Sequence, residues 1–79
     1  MSMEMREVNN PVRMLRLPEV VRRTALSRSQ IYRLIELGTF PRQVPLGERA
    51  AGWVEDEVDG WLRERIERSR KRLQAAASV

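Results

Sequence analysis

Apolar and polar positions along the chain first predict a short helix over residues 18–24. Pro18 fits the first helical position, because the N–H group that proline lacks would have no hydrogen-bond partner there. Glu19 suits the positive end of the helix dipole, and Val20 and Val21 supply an apolar stripe. The predicted helix has about two turns.

A second helix is predicted over residues 28–37, with signals at both ends. Ser27 and Gln30 have the S-x-x-Q spacing of a capping box, and Gly38 suits the C-terminal end. The apolar residues that recur at helical spacing and share one face are Ile31, Leu34 and Ile35. Because only residues 25–27 separate this helix from the first, the pattern predicts a helix-turn-helix.

Between residues 42 and 53 the apolar period changes from that of a helix to that of a strand. Val44 and Leu46 are apolar residues at every second position, as in a strand. A turn that contains Gly47 follows, and a second apolar segment ends at Trp53. We therefore predict a β-hairpin that forms a small two-stranded wing, with Arg49 near its tip. Pro45 restricts the first strand to an edge of the sheet, because proline cannot donate a ladder hydrogen bond.

The last predicted element is a longer helix over residues 55–73. Acidic residues occupy its first two turns, where the helix dipole favours them, and these are Glu55, Asp56, Glu57 and Asp59. Its apolar stripe comprises Val58, Trp61, Leu62 and Ile66. Gly60 lies inside the helix at a cost of about 1 kcal/mol relative to alanine. One reason for a glycine there would be to admit a neighbouring side chain.

Several residues in the second half of the chain allow more than one interpretation. Phe40, Trp53 and Trp61 are interpreted as core residues, although tryptophans also stack on single-stranded bases. The acidic cluster is interpreted as complementing the helix dipole rather than as a metal or catalytic site. The basic segment 63–72 could be a solvated helix end, a non-specific DNA patch or a partner-binding surface. We favour a solvated end with an auxiliary electrostatic role.

Together these elements predict a fold that is mainly α with a small β-hairpin, a minimal winged helix-turn-helix. The chain has 79 residues, which is enough for one small domain. We place that domain at residues 14–73. A flexible N-terminal arm would occupy residues 1–13, and a disordered tail would occupy residues 74–79.

Composition excludes several kinds of chemistry. The chain has no cysteine and no histidine, which rules out thiol nucleophiles, zinc–thiolate sites and histidine bases. We therefore expect no enzymatic activity, no cofactor, no metal and no small-molecule substrate. Because no apolar segment reaches membrane-spanning length, we expect a cytoplasmic protein without a membrane partner. The net charge is +4, and almost all basic residues are arginine, which suits contacts with phosphate and guanine. Codon bias in a GC-rich genome would explain the same preference for arginine.

Four segments of the chain together resemble the AlpA family of small phage-type regulators, which are relatives of MerR-like domains and excisionases. They are residues 16–20 (RLPEV), 26–41 (LSRSQIYRLIELGTFP), 46–53 (LGERAAGW) and 57–61 (EVDGW). The segments have the order and spacing of the family, and the resemblance covers about residues 14–66. It implies a winged helix-turn-helix that binds double-stranded DNA. The second helix would enter the major groove, and the wing would contact the flanking backbone or minor groove.

The outward face of the second helix carries the residues that we expect to contact DNA, because the N-terminal half of such a helix reaches base edges. The predicted recognition-helix contacts are Ser27, Arg28, Ser29, Gln30, Tyr32 and Arg33. Gln30 could either form the capping box with Ser27 or contact adenine, and we favour the capping role. The predicted wing and backbone contacts, chiefly to phosphates, are Arg42, Arg49, Arg22 and Arg23.

Three functional hypotheses stay open at this point. The resemblance favours a transcriptional regulator linked to a phage or mobile element. The alternatives are an excisionase that bends DNA for an integrase, and a protein-interaction or antitoxin module with a vestigial helix-turn-helix. Because one small domain makes few DNA contacts, we expect further copies to bind cooperatively. An integrase and RNA polymerase are the other candidate partners.

Overall fold

The chain folds into a helix-turn-helix, a β-hairpin and a long C-terminal helix. The computed structural model describes residues 11–77, with side chains through residue 75. The elements in chain order are β1 (Met14–Leu15), α1 (Leu17–Thr24), α2 (Arg28–Glu36), β2 (Val44–Gly47), β3 (Ala50–Val54) and α3 (Glu55–Ala77). This architecture confirms the predicted fold class, a mainly helical winged helix-turn-helix.

Local capping interactions fix both ends of α2. The Ser27 hydroxyl oxygen accepts a hydrogen bond from the Gln30 N–H at 3.2 Å, and Gln30 Oε1 accepts one from the Ser27 N–H at 2.9 Å. This reciprocal pair confirms the predicted capping box and satisfies two backbone donors. Beyond the other end, Gly38 has a φ of 78°, a left-handed conformation that favours glycine.

The turn between α1 and α2 is sharp and internally bonded. Ala25 has a φ of 61°, and its N–H donates to the Val21 carbonyl at 2.9 Å. The Thr24 hydroxyl donates to the Val20 carbonyl at 2.8 Å and accepts from the Leu26 N–H at 3.2 Å. These bonds hold a non-glycine residue in a conformation that costs about 1–2 kcal/mol, and so they fix where α2 begins relative to α1.

Strand β3 lies at the centre of a three-stranded antiparallel sheet of order β1-β3-β2. The β2–β3 hairpin is the predicted wing, with Val44 opposite Gly52 and Pro45 opposite Ala51. Pro45 lies on the edge strand, as its missing N–H requires. The wing is therefore anchored at its base by a strand that also belongs to the body of the domain.

The sequence pattern did not predict β1. Met14 pairs with Val54, and Leu15 pairs with Trp53. Two residues are too few to show the alternation by which a strand is recognised. The two-stranded wing of the prediction is thus one part of a larger sheet.

One apolar cluster joins the helices to the sheet. Its buried members are Leu15, Val20, Ile31, Ile35, Phe40, Trp53 and Val58. The core interpretation is confirmed for Phe40 and Trp53. Trp61 is partly buried against the same cluster, where its indole N–H donates to the Thr39 carbonyl and its ring lies edge-on to Phe40 at a centroid distance of 4.9 Å.

Helix α3 begins in the core and continues well beyond it. All residues from 63 to 75 are exposed, including Ile66 and Leu73. The helix is described to Ala77, four residues beyond the Leu73 predicted for its end. Three consecutive alanines, which have the highest helix propensity, explain the extension.

Parts of the predicted termini lie outside the described residues. Residues 11–13 of the predicted arm have no regular secondary structure, whereas residues 1–10 and 78–79 lie outside the described range. The division into arm, domain and tail otherwise stays a prediction.

Gly60→Ala is expected to increase the free energy of unfolding by up to about 1 kcal/mol. A Cβ atom on Gly60 would have no neighbouring-element atom within 4 Å, so the hypothesis that this glycine admits another side chain is wrong. The gain corresponds to a melting temperature about 4–8 °C higher for a domain of this size. Thermal unfolding followed by circular dichroism measures it, and a lower melting temperature would contradict the expectation.

Gly52→Ala is expected to have the opposite effect, with a loss of about 1–3 kcal/mol from overpacking. Gly52 is buried in β3, and a Cβ there would lie 2.9 Å from Leu46 Cδ1 and 3.2 Å from the Leu15 carbonyl oxygen. The leucine methyl can rotate away, but the carbonyl belongs to the β1 backbone and can move only by disturbing the sheet. Thermal unfolding followed by circular dichroism measures this loss as well. An unchanged melting temperature would show that the β1 backbone can move without cost.

Candidate nucleic-acid interface

Helix α2 presents a polar face opposite its buried one. Ile31 and Ile35 are buried, whereas Arg28, Ser29 and Arg33 are exposed. With about 100° between successive residues, Ser29 and Arg33 lie on the side opposite the core. The structure therefore brings the central recognition-helix residues of the prediction together on one outward surface.

Tyr32 borders this surface on the side of the sheet. Its ring contacts Trp53 edge to face with centroids 6.3 Å apart, yet 42% of the residue is exposed. Trp53 is itself fixed, because it is buried and its indole N–H donates to the Pro41 carbonyl at 3.1 Å. The Tyr32 hydroxyl is thus carried on a ring that packing holds in place, where it can donate to a base or a phosphate.

The other border of α2 faces α3. Leu34 is partly buried, and it lines a cleft together with Trp61. Since Trp61 is held by Thr39 and Phe40, α2 lies between two positioned tryptophans. The direction of its polar face is accordingly determined by aromatic packing on both sides.

The arginines predicted to contact DNA differ in whether a carboxylate already engages them. Within residues 11–77, five of them form no ion pair, and these are Arg22, Arg28, Arg33, Arg42 and Arg49. A guanidinium without a carboxylate partner keeps its planar set of donors available to a phosphate or a guanine edge. These five side chains are available for the contacts predicted for them.

Arg23 is the exception, because it joins α1 to α3. Its guanidinium lies 2.6 Å from a Glu55 oxygen and 3.0 Å from an Asp59 oxygen. The Glu55 hydrogen bond, followed by that to Asp59, raises the pKa of Arg23 above its ordinary value. A phosphate contact by Arg23 would have to compete with both carboxylates, so Arg23 has a structural role that the predicted DNA contact did not anticipate.

Ser27 and Gln30 serve the helix cap. Bidentate reading of adenine by glutamine needs the side-chain oxygen as an acceptor. In Gln30 that oxygen already accepts from the Ser27 N–H. Use of Gln30 as a base reader would therefore break the cap, in agreement with the role favoured from the sequence.

The two wing arginines lie in different electrostatic surroundings. Arg49 is exposed in the turn between β2 and β3. Arg42 lines an open groove of about 620 Å³ together with Glu57 and Glu64. Because two carboxylates would repel a phosphate that approached this groove, Arg49 is the better placed of the two for a backbone contact.

Neither a metal-binding cluster nor a membrane-spanning helix occurs in the part of the chain that the structure describes. No group of three or more acidic side chains among residues 11–77 is arranged to hold a metal ion. No helix within the same range is long and apolar enough to cross a membrane.

Comparison with known proteins places this arrangement in a family. Residues 13–66 match the profile of the family described as prophage CP4-57 regulatory protein (AlpA). The chain belongs to this family. Membership confirms the resemblance seen in the sequence, and the matched range runs from the residue before β1 into α3, so it includes all of α2 and the wing.

Two known proteins are clear relatives of the chain. The uncharacterized protein ORF88 of Enterobacteria phage P4 is 50% identical over 54 residues, which cover 68% of this chain and 61% of that protein. The DNA-binding transcriptional activator AlpA of Escherichia coli K12 is 40% identical over 60 residues, which cover 68% of this chain and 86% of that protein. The chain thus spans less than two thirds of the phage relative.

Arg23→Gln is expected to lower the melting temperature more than Arg22→Gln does, because only Arg23 bonds to carboxylates of α3. Screening weakens exposed ion pairs, so the difference between the two variants should shrink in 1 M salt. The adjacent residue is a matched control, since both changes remove one positive charge from the last turn of α1. Equal melting temperatures at low salt would contradict a role for Arg23 in joining α1 to α3.

Proposed function

We propose that this AlpA-family protein binds duplex DNA sequence-specifically through α2 and acts as a transcriptional regulator. The observation that carries the proposal is the outward face of α2. It presents Arg28, Ser29, Tyr32 and Arg33 on a helix that is capped at its start and packed on both flanks. Such preorganised donors suit base edges in the major groove.

The roles within the interface follow from side-chain chemistry. Arg28 and Arg33 can each pair bidentately with guanine or hold a phosphate, whereas Ser29 and Tyr32 donate single hydrogen bonds to bases or phosphates. Arg49 at the wing tip and Arg22 on α1 contact the flanking backbone. Arg42 makes a weaker contribution because of the carboxylates that share its groove.

The regulatory role draws on the relatives. The E. coli relative is described as a DNA-binding transcriptional activator, and we extend that activity to this chain. The relative from phage P4 supports a link to a phage or mobile element. A protein of this kind would work in the cytoplasm on the bacterial chromosome or on phage DNA, and RNA polymerase or an integrase would be its protein partner.

Binding by more than one copy is part of the proposal. A single small DNA-binding module covers about 600–1,000 Å² and binds weakly on its own. Neighbouring copies on tandem sites raise each other's effective concentration without forming a stable dimer in solution. Cooperative occupancy of DNA is therefore the expected mode of action.

Replacing Arg28 and Arg33 together by alanine is expected to weaken binding to the preferred duplex roughly a hundredfold and to reduce its sequence preference. The reason is that a bidentate arginine–guanine pair contributes about 1–3 kcal/mol of discrimination, and loss of a charged phosphate contact costs about 1.5–3 kcal/mol for any sequence. The preferred duplex is first selected from a random oligonucleotide pool with the full chain, and affinity is then measured by fluorescence anisotropy over a range of salt concentrations.

A double change of Arg70 and Arg72 to alanine is the control, since it removes the same charge from the exposed part of α3. The control variant is expected to weaken binding to all sequences alike and to leave the preferred sequence unchanged. If the Arg28 and Arg33 change leaves affinity and its salt dependence unaltered, α2 is not the recognition element.

The two alternative functions predict different experimental results. An excisionase would bend its site, which a gel-shift assay with circularly permuted DNA detects as position-dependent mobility. A protein-interaction module would show no salt-dependent affinity for duplex DNA. The regulator proposal stands on duplex binding with sequence preference and on activation of a reporter gene placed behind the selected site.

A further inference from the structure

A cleft of about 390 Å³ connects the polar face of α2 to the basic part of α3. The residues that line it are Leu26, Gln30, Arg33, Leu34, Trp61 and Arg65. Arg33 therefore belongs both to the outward face of α2 and to one wall of the cleft, and Arg65 lies on the opposite wall. The cleft opens beside the surface proposed to read bases.

Arg65 is held by an aromatic ring. Its guanidinium carbon lies 4.4 Å from the centroid of the Trp61 ring. Trp61 is fixed in turn by its hydrogen bond to the Thr39 carbonyl and by its contact with Phe40. A cation–π contact occupies one side of the guanidinium and leaves N–H donors for other partners, so Arg65 is positioned to bind an anion.

The charges around the cleft favour an anion. The described residues that line it include Arg33 and Arg65 but no carboxylate, and within residues 11–77 neither arginine forms an ion pair. The neighbouring grooves differ, because Glu64 contributes to both of those that extend along α3 from Thr39. Two unpaired arginines that face one space repel each other, and an anion between them would relieve that repulsion.

We propose that this cleft binds one backbone phosphate of the duplex read by α2, with Arg33 and Arg65 as its donors. The inference rests on the proposed function, since the phosphate belongs to the same DNA. DNA is the favoured occupant over an acidic protein because Arg33 projects from the middle of the recognition face, so anything bound in the cleft adjoins the bound duplex. Helix α3 would then flank α2 on the side opposite the wing.

The test compares Arg65→Gln with Arg63→Gln on the selected duplex. Arg63 lies two residues earlier on α3, is exposed, and does not line the cleft, so the two variants match in charge and helix position. Arg65→Gln is expected to weaken binding roughly tenfold for all sequences alike. It should also make the slope of log affinity against log salt shallower, by at most about 0.9 because Arg33 still contacts the shared phosphate. Arg63→Gln should leave the slope unchanged, and Arg65→Lys should retain it because the charge remains.

A double variant separates a shared phosphate from independent contacts. If Arg33 and Arg65 hold one phosphate, the combined Arg33→Gln and Arg65→Gln change should weaken binding by less than the product of the two single effects. Thermal unfolding of each variant checks that the fold is retained, and Arg65→Ala provides the measurement if Arg65→Gln does not fold. Equal affinity and slope for Arg65→Gln and Arg63→Gln would overturn the proposal. Absence of duplex binding by the unchanged chain would instead overturn the proposed function.

Discussion

Trp53 lies in the central strand and contacts three other segments of the domain. Its backbone pairs with Leu15 of β1, its ring contacts Tyr32 of α2, and its indole N–H donates to the Pro41 carbonyl in the segment before the wing. Burial of the indole removes a large apolar surface from water. The same residue also joins three segments that are distant from it in sequence. The direction of α2 and the attachment of the wing therefore depend on the same side chain.

The acidic start of α3 stabilises the domain in two ways at once. Its carboxylates complement the positive end of the helix dipole, and two of them, Glu55 and Asp59, also hold Arg23 of α1. Because α1 packs against α2 through the turn at Ala25, the ion pairs stabilise the helix-turn-helix from its far side. The arginine that looks like a DNA contact in the sequence thus contributes to the placement of those that face solvent.

What could be predicted from the sequence was local. The capping box of α2, its apolar stripe and the hairpin depend on residues within a few positions of each other, and the structure confirms them. Most contacts that escaped prediction join distant residues. Strand β1 is too short to show a period, and Arg23 pairs with a carboxylate 32 residues away. The contact of Arg65 with Trp61 is the exception, because it lies within one helix turn of α3 but looks in sequence like one more charge on a solvated helix.

In α2 the residues that hold the helix and those that face solvent are almost separate sets. Ser27 and Gln30 form the cap, and Ile31 and Ile35 fill the core, whereas residues 28, 29 and 33 take no part in either. Substitutions at those three positions can therefore change the outward surface of α2 without weakening the fold. Tyr32 is the exception, because its ring supports Trp53 while its edge is exposed. Under the proposed function, the DNA contacts of α2 are therefore free to diverge at three positions of the helix and constrained at the fourth.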